Sequence, residues 1–113
     1  MDFNQNKPIY LQIVDNISER ILAGELLPED RIQSVRDLGS DLGVNPNTVM
    51  RSYEKLTADG IIYNKRGIGY YVSADAREIV FQKMREEFLN AELPQFIKRA
   101  KMLEIDLSQI LTK

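Results

Sequence analysis

The 113-residue chain contains no cysteine, no histidine and no tryptophan. Without cysteine there is no disulfide, no thiol nucleophile and no thiolate metal site. Without histidine the commonest general base and the commonest nitrogen ligand for a metal are missing too. The remaining acid–base candidates are carboxylates scattered along helical segments without a motif, so neither enzymatic chemistry nor a cofactor or metal is expected. No apolar run approaches the roughly 20 residues of a membrane span, and no signal-peptide pattern is present, which predicts a cytoplasmic protein without a membrane partner. Positive charge is not in excess either. Lys and Arg number 15 against 17 Asp and Glu, a net charge of -2, and the segment up to Val72 holds eight basic against ten acidic residues. A generally basic nucleic-acid-binding surface is therefore excluded, and any DNA binding has to rest on a local patch with weak non-specific affinity.

What is present is a strongly marked pair of short helices. Ser34-Val35-Arg36-Asp37 has the capping-box form, and Val35, Leu38 and Leu42 then make an i, i+3, i+7 stripe that ends at Gly43. Asn45 is placed to cap a second helix and Pro46 to occupy its first position, where a missing N–H costs nothing. At about 100° per residue, Val49, Tyr53 and Leu56 share one face, while Asn47 and Arg51 point the opposite way with Thr48 and Met50 beside them. One face packs and the other is free to read a ligand. Two short helices around a glycine turn match a helix-turn-helix, whose second helix enters the major groove. On that geometry Ser34 and Arg36 lie near phosphate. Taken alone, the pair also fits an ordinary helical hairpin with Arg36 and Arg51 as solvated surface charges.

The segment that follows separates the two. The helix stops at Gly60, and Ile61-Ile62-Tyr63-Asn64 and Gly69-Tyr70-Tyr71-Val72 read as strands joined through Lys65-Arg66-Gly67-Ile68. This is a β-hairpin with two basic residues at its tip, and directly behind a helix-turn-helix it makes a wing. Arg66 alone would read as a solubilising charge; behind a recognition helix it reads as a contact to phosphate or minor groove. The local basic patch is Arg36, Arg51, Lys65 and Arg66.

From Pro8 to Val72 the chain, with PIYLQI at its head, LPEDRIQSVRDLGSDLGVNPNTVMRSYEKLTADGII in the middle and RGIGYYV at its end, resembles the DNA-binding domain of the GntR family of bacterial transcription regulators. The short C-terminal segment resembles the YtrA subfamily. The resemblance implies DNA contacts at Arg36, at Asn45, Pro46, Asn47 and Thr48, and at Arg66 and Gly67 of the wing. It also implies a dimer formed through the tail, and control of nearby transporter genes, often with the regulator's own operon. The chain departs from the family pattern where Pro-Gly, Pro-Ser and Leu-Ala are usual: here stand Pro28-Glu29, Gln33-Ser34 and Leu38-Gly39. Met50 occupies a position that is often basic, and the charge sits one residue later at Arg51.

Two further segments complete the reading. Ile9, Ile13, Ile17 and Ile21, four residues apart, predict a core-facing helix from about Pro8 to Ala23. From Ser73, Asp75 and Glu78 suggest a helix start, and Ile79, Val80, Phe81, Met84, Phe88 and Leu89 give it a broad apolar face. Leu93-Pro94 is expected to break this helix, with a second carrying Phe96, Ile97, Ala100 and Leu103, and a last pair of turns near Asp106. About 40 residues cannot bury so much apolar surface alone, so the tail packs on its own winged helix or on a second copy. The second copy is expected, through Val80, Met84, Phe88, Phe96 and Ile97. Short helices wall a small-molecule pocket only at such an interface, which leaves an effector undetermined.

The expectation is thus a mostly α protein with a small β-hairpin: a winged helix-turn-helix over 1–72 and a helical dimerisation tail over 73–113. Its expected function is that of a transcription regulator, a repressor that binds a two-fold symmetric double-stranded DNA operator as a homodimer. The alternative is a winged-helix protein-interaction module, which the acidic balance would suit and which would show no salt-sensitive DNA binding.

Overall fold

The computed structural model describes residues 6–111; the outermost residues of the two expected segments, 1–5 and 112–113, lie outside the described residues. Helix α1 (Ile9–Leu22) begins without a side-chain cap, its first free N–H groups donating to the Pro8 carbonyl from Leu11 at 3.0 Å and Gln12 at 3.2 Å. Ile13, Ile17 and Ile21 are buried, but Ile9 is 42% exposed, because the four-residue stripe runs past the end of the core at the first turn. Helix α2 (Val35–Leu42) and helix α3 (Pro46–Ala58) begin as their sequences dictate. Ser34 Oγ accepts from the Asp37 N–H at 3.1 Å, Asn45 Oδ1 accepts from the Asn47 N–H at 2.8 Å, and Gly43 closes α2 in the left-handed region at φ 66°. Both α1 and α2 pack on α3, whose Val49, Ser52, Tyr53 and Leu56 are buried.

The turn between α2 and α3 explains one departure from the family pattern. Gly39 is buried, and a Cβ there would stand 2.8 Å from the Val44 carbonyl oxygen, while the Val44 N–H donates to the Gly39 carbonyl at 2.9 Å. Glycine lets the turn close more tightly than alanine would.

Strands β1 (Ile62–Lys65) and β2 (Gly69–Val72) pair antiparallel, with Ile62 opposite Val72 and Lys65 opposite Gly69. The linker between α1 and α2 adds a short third run to β2. The Glu29 N–H donates to Val72 at 2.8 Å, Val72 to Asp30 at 2.9 Å, and Ile32 to Tyr70 at 3.0 Å, with an antiparallel bridge between Arg31 and Tyr71. The linker enters this pairing through a turn over Leu27-Pro28-Glu29-Asp30, closed by the Asp30 N–H on the Leu27 carbonyl at 3.0 Å and by the Leu27 N–H on the Asp30 carboxylate at 2.8 Å. Glu29 stands there at φ 70°, the third position of a type II turn, where glycine is the usual residue.

A compact unit ends at Phe81 rather than at Val72. Helix α4 (Ala76–Glu87) contributes Ala76 and Val80, 0% and 1% exposed, to the core of this unit, and Ile79 lies against Gly60. Val80 is therefore not an interface residue: its surface is already consumed within its own chain. Periodicity identified a buried face but not its partner.

The second unit begins at Gln82. Leu93-Pro94 does not break the helix there. A π-helical turn over Phe88–Glu92 leads directly into α5 (Leu93–Met102), with the Leu93 N–H reaching back five residues to the Phe88 carbonyl. Proline lacks an N–H and crowds the carbonyl four residues earlier; the wider turn absorbs both defects. Helix α6 (Leu107–Leu111) is short, and Asp106 caps it by accepting from the Ser108 N–H at 3.0 Å and the Ser108 hydroxyl at 2.6 Å. Among the described residues, no helix is long and apolar enough to cross a membrane.

Candidate nucleic-acid interface

The outward face of α3 is set by what its inward face does. Tyr53 is buried, donates its hydroxyl to the Gln33 carbonyl at 2.7 Å, and meets Tyr70 of β2 edge-on at 4.9 Å between ring centroids. Burial pushes its phenol well above the usual tyrosine range, so it remains a donor at any physiological pH. Gln33 in turn donates its side-chain amide to Asp41 at 2.6 Å, tying the residue before the α2 cap to the last turn of that helix. One buried hydroxyl thus fixes α3 against the entrance of α2, and the same ring seats the wing.

With Val49, Tyr53 and Leu56 turned inward, Asn47 and Arg51 are exposed on the opposite face. Asn45 and Pro46 are exposed at the helix start and Thr48 is half-buried on the flank. Asn45 uses its carbonyl oxygen in the cap, which leaves its amide N–H groups to face outward. Arg51 does not extend freely: its Cζ lies 4.0 Å from the centroid of the Tyr10 ring on α1. Met50 is also exposed and accepts a weak hydrogen bond from the Tyr70 hydroxyl at 3.8 Å, so this position joins α3 to the wing instead of carrying charge. Ser34 and Arg36 are exposed at the start of α2.

In the wing, Lys65 lies over the Tyr71 ring at 4.4 Å, and Tyr71 stacks on Tyr63 at 5.9 Å. The Tyr63 hydroxyl donates to the Glu29 carboxylate, and this bond raises the Tyr63 phenol pKa above its ordinary value. Arg66 is exposed at the tip beside Gly67, which takes φ 78°. Arg31 braces the tip from beneath. Its Nη2 donates to the Ile68 carbonyl at 2.6 Å, and its guanidinium passes so close to Gly69 that a Cβ there would sit 3.0 Å from Nε. Gly69 is needed for that approach and for its φ of 149°.

Arg36, Arg51 and Arg66 pair with no carboxylate among the described residues, whereas Lys7, Arg20 and Lys55 pair with Asp15, Glu25 and Asp59. These three arginines are among the residues that sequence reasoning placed on the reading surface, although Arg31 and Arg77, which donate to backbone carbonyls, also lack a carboxylate partner among the described residues. That reasoning missed Tyr10, Arg31 and the Tyr53–Tyr70 contact, which join elements distant in sequence. Tyr10 offered only an aromatic beside an apolar stripe. Of the residues expected to join two copies, Phe88 and Phe96 are 50% and 57% exposed, Met84 and Ile97 are half-buried, and Val80 is buried. Among the described residues, no group of carboxylates is arranged to hold a metal ion.

Comparison with known proteins places this geometry. The sequence profile described as "Bacterial regulatory proteins, gntR family" matches residues 9–72. The chain is 38% identical over 109 residues to the uncharacterized HTH-type transcriptional regulator YhcF of Bacillus subtilis, covering 96% of this chain and 88% of that protein. It is 33% identical over 110 residues to the HTH-type transcriptional repressor YtrA of the same organism, covering 97% and 84%. Among solved structures, a GntR family transcriptional regulator from Listeria monocytogenes superposes with a TM-score of 0.78 at 36% identity, over 96% of this chain and 94% of that one. The DNA-binding domain of AraR, solved in complex with its operator ORR3, superposes with a TM-score of 0.58 at 29% identity, over 65% of this chain and 86% of that one.

Proposed function

The chain belongs to the gntR family of bacterial regulatory proteins, and from that membership we propose how it works, as a homodimeric repressor whose winged helices read the two halves of a symmetric operator. It is a sequence-specific DNA-binding transcription regulator: the matching profile spans the winged helix, and the similar AraR domain was solved on its operator. The observation that carries the assignment of residues is the outward face of α3. A helix capped by Asn45 and opened by Pro46 presents Asn47 and Arg51 free of carboxylates, beside a wing whose tip carries Arg66.

In this reading α3 lies in the major groove. Asn47 and Arg51 meet base edges; Ser34, Arg36, Asn45, Pro46 and Thr48 line the phosphates at the helix starts; Lys65, Arg66 and Gly67 follow the backbone from the wing. Residues up to Phe81 bind DNA, and those from Gln82 assemble the dimer. The exposure of Phe88, Leu89, Phe96, Met102 and Leu103 within one short unit, with Met84 and Ile97 half-buried, supports that role, since so much open apolar surface marks an interaction site. Repression is supported by the similarity to the YtrA repressor. A cytoplasmic location suits a regulator of this kind.

Fluorescence anisotropy tests the reading, with the duplex that the protein enriches from a random-sequence pool. Affinity should fall steeply with salt. Asn47→Ala or Arg51→Ala should each lose about 1–3 kcal/mol of specific binding with little change in melting temperature. Unchanged affinity in both variants would remove α3 from the base-reading role.

A further inference from the structure

We propose that Tyr10 is a positioning residue for sequence reading: its ring holds the Arg51 guanidinium ready to meet a guanine edge in the major groove. The inference rests on α3 being the recognition helix. Arg51 Cζ stands 4.0 Å from the Tyr10 ring centroid, close contact for a cation over an aromatic face. Tyr10 is itself held. It lies in the first turn of α1, half-buried, and its carbonyl accepts from Ser52 Oγ at 2.7 Å; Ser52 is wholly buried and adjacent to Arg51. A single polar bond therefore ties α1 to α3 beside the residue whose side chain is stacked.

The stacking leaves intact what base recognition requires. A ring covers the flat face of a guanidinium and leaves its N–H edges free, and those edges are what pair with O6 and N7 of guanine. A carboxylate in the same place would occupy the edges and neutralise the charge. An unbraced arginine has several torsions to freeze on binding, and a ring that orders it beforehand removes part of that loss from the bound state. The half-exposure of Tyr10 fits this role better than a core role, as does the assignment of the reading charge to position 51, where the ring can reach it, instead of to Met50.

The test compares wild type, Tyr10→Phe, Tyr10→Leu, Arg51→Ala and the Tyr10→Leu/Arg51→Ala double variant. Each is titrated against the duplex that wild type enriches from a random pool, its single-base-pair variants, and an unrelated duplex of equal length. Tyr10→Leu should weaken binding to the enriched duplex about two- to fivefold and leave the unrelated duplex unchanged. It should flatten the preference at the same G·C pair that Arg51→Ala abolishes, and add nothing further in the double variant. Tyr10→Phe should match wild type. If Tyr10→Leu keeps full preference while Arg51→Ala loses it, or if its loss persists undiminished in the double variant, Tyr10 does not position Arg51, although α3 still reads. If Arg51→Ala keeps the preference, the base-reading assignment fails and this proposal with it. A measurement independent of folding in the variants is the NMR spectrum of free wild-type protein: upfield ring-current shifts on the Arg51 side-chain protons are expected, and their absence refutes the stack.

Discussion

Glu29 offers a quantitative test of how the sequence meets its fold. It occupies the third position of the Leu27–Asp30 turn at φ 70°, a conformation that costs a side-chain-bearing residue about 1–2 kcal/mol. Glu29→Gly removes that cost, but it also loosens the unfolded chain, an opposing effect of about 0.5–1 kcal/mol. The net expectation is a stabilisation of about 0.5–1 kcal/mol, which for a domain of this size raises the melting temperature by about 2–8 °C. The substitution also deletes the carboxylate that accepts from Tyr63. Glu29→Ala controls for this, since it deletes the same carboxylate but keeps a Cβ in the left-handed region. Calorimetry on the three proteins should therefore rank glycine above alanine by about 0.5–1 kcal/mol. In both variants the Tyr63 phenol, held high by the Glu29 hydrogen bond, should titrate at lower pH than in wild type, followed by ultraviolet absorbance. An alanine variant that melts at or above the glycine variant would refute the reasoning, because the difference left between them is backbone strain, which should outweigh the looser unfolded chain of the glycine variant.

Other outcomes are as specific. Arg66→Ala should weaken binding to specific and unrelated duplexes alike and flatten the salt slope by about one unit; a loss confined to A·T-rich flanks would mean that the wing reads groove shape instead of phosphate. Tyr53→Phe should lower stability by about 1–2 kcal/mol in thermal melts, because the Gln33 carbonyl loses its donor, while a change near zero would mean that water replaces the hydroxyl. Phe88→Asp should yield a folded monomer by light scattering and circular dichroism, since a carboxylate in an apolar interface costs several kcal/mol while this half-exposed position contributes little to the single chain. An intact dimer would place the interface elsewhere.

The legible parts of this fold are those whose bonds are local. Ser34 to Asp37 and Asn45 to Asn47 span three and two residues, and Gly43 and Pro46 act at their own positions, so the helix boundaries and the outward azimuth of α3 could be read from composition and spacing. What was not legible is long-range. Arg31 finds the Ile68 carbonyl 37 residues away, Tyr53 finds Gln33 20 residues away, and residues 29–32 pair with β2 over too few positions to show strand alternation. Val80 shows the same limit from the other side: its apolar periodicity was plain, but periodicity does not say whether the covering surface is the same chain or another copy. At Leu93-Pro94 the rule that proline ends a helix was outweighed by a π-helical turn, an outcome that depends on backbone geometry rather than residue type.

The acidic balance and the DNA-binding assignment can be reconciled through the way each cation is held. Lys7, Arg20 and Lys55 are matched to carboxylates and present little field to a phosphate backbone. The cations assigned to the reading surface are ordered, where they are ordered, by groups without net charge: Arg51 by the Tyr10 ring and Lys65 by the Tyr71 ring, with the wing that carries Arg66 braced through a backbone carbonyl. A side chain fixed by a carboxylate would have to break that pair to meet DNA, and the freed acid would then repel the nearest phosphate. A side chain fixed by an aromatic face or a carbonyl brings its full charge and loses little on binding. In a domain with more acidic than basic residues, this division allows a few placed charges to act while the rest of the surface discourages non-specific association. Affinity for unrelated DNA should then be low even at modest salt, and most of the operator's advantage should reside in the handful of contacts made by α3.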